Sequence, residues 1–283
     1  MNNEFDHQLL HRHAFGLVDP SILADLPAGT PGTPIVPRGL EASAHLMPLR
    51  IDCHTLSQVE ADALLACVYK AWSTQGPPPV KLFIETDLSA TEFTSRWNAA
   101  QLPRANGRQL SWLRVHDPRV LHQLLRILEP GHRQHLLGPF RAITYWLGGC
   151  WCTLRHANDG SVDRSLVPLS DAFQSLNWSR IEDIGILNRA LLAAGIHAPD
   201  EVSRSSSLME ELLERARTRF RLSSQVDLVE FAVRGVTHSA NFDSHPDVAA
   251  AIDDIDEEST LPDRLALIDD QVWLQLRQTP NPA

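Results

Sequence analysis

The sequence predicts an α/β lobe, a mixed sheet covered by helices and ending in a β-hairpin, followed by an all-α lobe. Three observations carry this expectation. Short apolar runs alternate with capped helical segments as far as residue 155, the pattern of a sheet covered by helices. Gly148-Gly149 separates two apolar runs, the signal of a two-residue hairpin. From Ser179 onward only helical periodicity remains. The domains expected are residues 10–160 and 171–280.

Each element has a local reason. His13 to Val18 reads as a strand, and Asp19-Pro20 opens a short helix with an aspartate cap and proline at the first helical position. The stretch Pro27 to Gly39 holds four prolines and no periodicity, and is long for a compact connection. Leu46 to Asp52 is the next strand. Ser57-Gln58-Val59-Glu60 and Ser89-Ala90-Thr91-Glu92 are capping boxes, each opening a helix. Between them Val80 to Ile84 reads as a buried strand. Leu110 to Val115 reads as another, after which Asp117-Pro118 repeats the cap-plus-proline start. Val120, Leu121, Leu124, Leu125 and Leu128 form an apolar stripe at helical spacing. Pro130 opens a short helix that Gly138-Pro139 stops, and Ala142–Leu147 with Cys150–Leu154 flank the glycine pair. Five helical segments follow, starting near Ser179, Ser207 (a third capping box, Ser207-Leu208-Met209-Glu210), Val226, Pro246 and Pro262.

Composition narrows the function. The 283 residues are 43% hydrophobic and 21% charged, an ordinary globular balance. The N-terminus, Met1-Asn2-Asn3-Glu4-Phe5-Asp6, carries acid where a signal peptide needs base, and no apolar run approaches the roughly 20 residues of a membrane span. Cys53, Cys67, Cys150 and Cys152 are therefore expected as reduced thiols in the cytoplasm. Residues 1–170 carry 15 Lys+Arg and 15 Asp+Glu, whereas residues 171–283 carry 10 and 20, the whole formal charge of −10. An acidic lobe without a basic patch repels phosphate, which argues against nucleic acid and anionic membrane.

Catalytic patterns are missing. Neither Lys70 nor Lys81 follows a glycine, and no G-x-G-x-x-G, G-x-S-x-G or H-E-x-x-H string occurs. His132 and His135, three apart on a short helix, can share one ligand face, yet no carboxylate is spaced to complete a metal site. Cys150 and Cys152 share a strand face but stand too far apart for easy disulfide closure. Arg215, Arg217, Arg219 and Arg221 spread around their helix, with Glu211 and Glu214 spaced to pair with Arg215 and Arg217. The acidic run Asp253 to Glu258 lacks the glycine and ligand spacing of a calcium loop. The expectation is no catalytic residue, no cofactor and no metal.

One stretch goes further. Trp112-Leu113-Arg114-Val115-His116-Asp117-Pro118-Arg119-Val120-Leu121, followed by Gly138-Pro139-Phe140, resembles the effector adaptor-chaperones (Tap/Tec type) of bacterial type VI secretion. Ala14 to Asp19 is similar to that family's first strand with its terminal aspartate, so the resemblance covers most of residues 10–156. His116 departs from it, standing where an aromatic is expected. The resemblance implies a non-enzymatic adaptor that binds a cognate toxic effector in the cytoplasm and helps load it onto a spike protein of the VgrG or PAAR type. Asp117, Pro118, Arg119, Gly138 and Pro139 are expected to act mainly in the fold. Arg119, Trp178 and Trp273 are the candidates for partner contact, the two tryptophans through exposed parts of their rings. The competing readings are a metal-assisted hydrolase using His132 and His135, or a structural subunit of a larger assembly.

Overall fold

A computed structural model describes residues 8–74, 76–102, 104–105, 109–110, 112–156, 177–256 and 259–278. The chain divides into two compact units, Met1–Trp178 and Ser179–Ala283. The first is α/β and the second all-α.

In the first unit the order is α1 (Gln8–Arg12), β1 (Phe15–Val18), β2 (Thr33–Pro34), β3 (Leu49–Asp52), α2 (Gln58–Ser73) and β4 (Val80–Glu85). It continues with α3 (Ala90–Gln101), the short strands β5 (Arg104–Ala105) and β6 (Gln109–Leu110), α4 (Pro118–Ile127) and α5 (Pro130–Leu137). The hairpin β7 (Ala142–Leu147) and β8 (Cys150–Arg155) closes it. Six strands form one sheet in the order β2-β3-β1-β4-β7-β8. Every pair is antiparallel, where the strand–helix alternation suggested a mixed sheet. The reason is the place of β1. Strands β3 and β4, joined by α2, both run against β1, which lies between them and turns their parallel relation into two antiparallel ladders.

Both faces of the sheet are covered, so β1 and β7 are buried along their whole length. On one face Val18, Ile51, Val80, Phe83, Trp146 and Trp151 pack with Leu64, Leu65 and Val68 of α2. Gly16 belongs to this face, because it pairs with Phe83. A Cβ there would stand 3.0 Å from Val80 Cγ1 and 3.4 Å from the Phe83 ring, so the glycine makes room for both. On the opposite face Phe15 stacks on Phe93 of α3 at 4.3 Å, and Trp97 and Phe140 complete the aromatic cluster. Gly148 (φ 53°) and Gly149 (φ 85°) take the left-handed conformations a tight hairpin needs.

Sequence expectation fails at 110–115. Among the described residues of that stretch only Leu110 joins a ladder, Gln109–Leu110 pairing with Arg104–Ala105 outside the main sheet. Leu113 and Val115 are apolar because they are buried, and their N–H groups donate to Gln101 O and Leu113 O instead of to a ladder.

The second unit holds α6 (Trp178–Glu182, of which Trp178 is the last residue of the first unit), α7 (Ile184–Ala193), α8 (Pro199–Arg219), α9 (Gln225–Thr237), α10 (Pro246–Asp253), α11 (Leu261–Leu265) and α12 (Asp270–Gln278). Leu187, Met209, Leu212, Phe231, Phe242 and Leu261 lie at the centre of its core. Helix α8 begins at Pro199, not at Ser207. Proline stands in its first turn beside Asp200 and Glu201, while Ser203 and Ser207 donate back to the carbonyls four residues earlier. The expected fifth helix is two: Thr260 and Asp263 form a capping box for α11, and the Asp269 carboxylate accepts from Gln271 N to start α12.

Arginines tie these helices together over long sequence distances. Arg180 pairs with Glu210 at 2.9 Å, and Arg217 with Asp183. Arg215 and Arg219 both reach Asp243, which is 1% exposed, at 3.0 and 3.2 Å. Arg264 binds Asp254 and Asp256 of the acidic run; Glu257 and Glu258 of that run lie outside the described residues.

Candidate functional site

Two ion pairs and a buried histidine gather where β1 ends and β4 begins. Asp117 caps α4: its carboxylate accepts from Arg119 N at 3.0 Å, and from Arg119 Nε and Nη2 at 3.0 and 2.8 Å. Pro118 fills the first helical position, where no N–H is needed. Arg119 therefore pairs with its own cap, and its side chain remains 53% exposed while that of Asp117 is 9% exposed. Asp19, directly after β1, accepts from Ser21 N and Oγ and from Lys81 Nζ at 3.2 Å. Its charge acts on both His116 and Arg119, placing the two pairs within electrostatic reach of each other. Trp112 completes the group, with its ring 6.3 Å from that of His116 and the Arg114 guanidinium 5.7 Å from its centroid.

The electrostatics fix the protonation states. Burial pulls the Asp19 carboxyl upward, but the Ser21 hydrogen bonds and the Lys81 charge outweigh it and bring the pKa to about 2. Burial likewise opposes ionisation of Asp117, and Arg119 overcomes it, leaving the pKa below the ordinary value. His116 moves the other way. Burial, then the Arg114 charge, lower its pKa to about 4 against the pull of Asp117 and Asp19. At neutral pH the site thus holds two ionised carboxylates, three cations and a neutral imidazole. It suits charge recognition and helix capping. His116 Nδ1 is buried without a hydrogen-bond partner.

Two predictions arise here. Asp117→Ala removes a cap and is expected to lower stability by about 1–2 kcal/mol, read as a lower thermal midpoint. An unchanged midpoint would contradict the capping role. The second concerns pH. A histidine held below its unfolded pKa of 6.5 contributes stability that is present above pH 6.5 and lost as the pH falls toward 4. The loss is on the order of 2–3 kcal/mol for so buried a ring. His116→Phe is expected to flatten this part of the stability profile; a variant that loses stability as steeply as the parent between pH 6.5 and 4.5 would contradict it.

The other sequence candidates fall elsewhere. Gly138 ends α5 with φ 54° and ψ −123°, a backbone that a side chain disfavours, and Pro139 follows it into the core ahead of fully buried Phe140. The pair acts in the fold. His132 lies on α5, and the side chain of His135 lies outside the described residues. Among the described residues no three His, Cys, Asp or Glu side chains gather where a metal ion could be held. Cys53 and Cys152 are buried and all four cysteines are free thiols, with burial pushing the Cys53 pKa up to about 12.

The tryptophan expectation needs correction. Trp178 is 6% and Trp273 7% exposed, so neither offers a ring face to a partner. Trp273 lies on the core side of α12, with the Arg234 guanidinium 4.6 Å over its ring and the His238 ring at 4.9 Å. His238 is neutral for a related reason: burial, then Arg277 and Arg234, lower its pKa to about 4, and its Nε2 lies 3.1 Å from Arg277 Nη2. The exposed large apolar residues of this unit are instead Leu192, Val226, Leu267 and Leu274.

Comparison with protein-family models, curated proteins and solved structures finds no match to this chain. Among the described residues no helix is long and apolar enough to cross a membrane.

Proposed function

We propose that this chain is a cytoplasmic adaptor-chaperone of type VI secretion. It binds a cognate toxic effector and helps load it onto a spike protein, without catalysing a reaction and without binding nucleic acid or membrane. The secretion context is supported by the resemblance of residues 112–121 and 138–140. The binding role is supported by one observation in the helical unit: three arginines of α8 pair with acids of other elements. Arg215 and Arg217, spaced to neutralise Glu211 and Glu214, turn to Asp243 and Asp183. Glu211 and Glu214 are exposed on α8, and among the described residues neither stands within ion-pair distance of a cationic side chain, although the Glu214 charge still acts on Arg217. Such acids steer a basic segment of the effector into contact, and apolar burial holds it there.

The test is the double charge reversal Glu211→Lys with Glu214→Lys in the full chain, using the product of the neighbouring open reading frame as the candidate toxin. Association with that toxin is expected to slow by about tenfold at low salt, and to lose most of its salt dependence. An association rate equal to that of the parent at every salt concentration would remove the steering role of α8.

A further inference from the structure

Helix α12 is tied to α9 by a directional chain of hydrogen bonds through His238, the residue that ends α9. Arg277 of α12 can only donate, so His238 Nε2, 3.1 Å from Arg277 Nη2, accepts. The proton of the neutral ring then sits on Nδ1, which stands 2.8 Å from Thr237 Oγ1. That hydroxyl donates its own proton to Val233 O at 2.7 Å, so a lone pair is what faces Nδ1. Each group has one role, and the neutral ring with its proton on Nδ1 is the form of His238 that satisfies them all.

The same ring packs on α12. Its centroid lies 4.9 Å from that of Trp273, edge to face, and the Arg234 guanidinium lies 4.6 Å over the Trp273 ring. The charged groups that act on His238 are Arg277 of α12 and Arg234 of α9, both cations. Arg234 is paired with Glu230 at 2.6 Å, whereas among the described residues no carboxylate pairs with Arg277. Helix α12 is nine residues long, too short to persist in water without its packing.

We propose that α12 is a strap that protonation of His238 releases. A proton on Nε2 removes the acceptor that Arg277 uses and leaves two donors facing each other, with three cations gathered at Trp273. Burial, then Arg277 and Arg234, hold the His238 pKa at about 4 in the docked state, against 6.5 for an ordinary ring. The docking that His238 supports is therefore complete above pH 6.5 and lost as the pH falls toward 4. Release lets α12 unfold locally and uncovers the side of the core that Val272, Trp273 and Leu276 close. The device lies within the helical unit and does not depend on the adaptor reading.

The test is amide hydrogen exchange of the full chain, with each rate corrected for the intrinsic pH dependence of exchange. Opening of α12, read at Leu274 to Gln278, is expected to rise by about tenfold relative to α8 between pH 7 and pH 5. His238→Phe keeps a ring against Trp273 but takes no proton, and its α12 opening is expected to stay constant over the same range. Arg277 is exposed, so Arg277→Met leaves the core intact, and it is expected to raise the His238 pKa, followed by NMR, toward the ordinary value. Ring nitrogen shifts report the tautomer without any substitution, and the proton is expected on Nδ1. A neutral ring with its proton on Nε2, or a His238 that titrates at the ordinary value, would overturn the proposal. So would α12 opening that is constant in the parent, shared equally by α8, or equally pH-dependent in His238→Phe.

Discussion

Gly235→Val is expected to destabilise the helical unit by about 3 kcal/mol, among the largest effects of any single substitution in it. Gly235 is buried in α9 facing α8. A Cβ there would stand 2.6 Å from Leu212 Cδ2, 3.0 Å from Cγ, and closer still to Cδ1. Leu212 is fully buried, so it has no open space into which to retreat. Even Gly235→Ala is expected to cost stability, although alanine gains about 1 kcal/mol of helix propensity over glycine, because the collision outweighs that gain. Pairing Gly235→Ala with Leu212→Ala tests the mechanism, since the cavity left by the leucine accepts the new methyl. Urea unfolding is expected to show the double variant less destabilised than the sum of the singles. A neutral or stabilising Gly235→Ala would contradict the close packing of α8 on α9.

The second large effect is electrostatic and lies in the same unit. Asp243 is buried against two arginines of α8. Removing one of them leaves the carboxylate with a partner, and Arg219, half exposed, is expected to matter less than Arg215, which also donates to Ala240 O. Arg215→Met with Arg219→Met leaves an uncompensated buried charge, a loss of about 3–5 kcal/mol. The double variant is therefore expected to lose more than the two singles combined, and adding Asp243→Asn is expected to recover part of it. Additive, small losses would mean that Asp243 is not held by this pair.

Local chemistry was the legible part of this sequence. The capping boxes at Ser57–Glu60 and Ser89–Glu92, the cap at Asp117-Pro118 and the Gly148-Gly149 hairpin all stand where their residues placed them. The same logic failed at Ser207, because a serine three residues before a glutamate occurs inside a long helix as readily as at its start. It failed at 110–115 because burial makes a segment apolar whether or not it joins a ladder. The arginines of α8 show the limit most clearly. Spacing of three or four identified Glu211 and Glu214 as partners, but acids from other elements, buried Asp243 and half-buried Asp183, compete for the same guanidinium groups and win. Within the candidate site, Asp117 and Arg119 were readable as a unit, whereas the approach of Asp19 and Lys81 is made only by the sheet. The burial of Trp178 and Trp273 was hidden for a similar reason. An aromatic on an amphipathic helix looks alike in sequence whether it faces a neighbour or water, and Trp273 sits in the stripe with Val272 and Leu276 that closes the core.

The α/β unit holds a fixed polar cluster, and the helical unit leaves Glu211 and Glu214 exposed on α8. The proposed role is to carry an effector to the secretion spike. The most direct measurement is co-expression of the full chain with the products of the genes neighbouring its own, as candidate toxin and spike, followed by light scattering on the purified species and by secretion of that toxin from cells lacking the chain. The account predicts a stable complex containing the chain and the toxin, and loss of toxin secretion on deletion while the spike itself is still exported. No complex with either protein, together with unchanged toxin secretion after deletion, would contradict it.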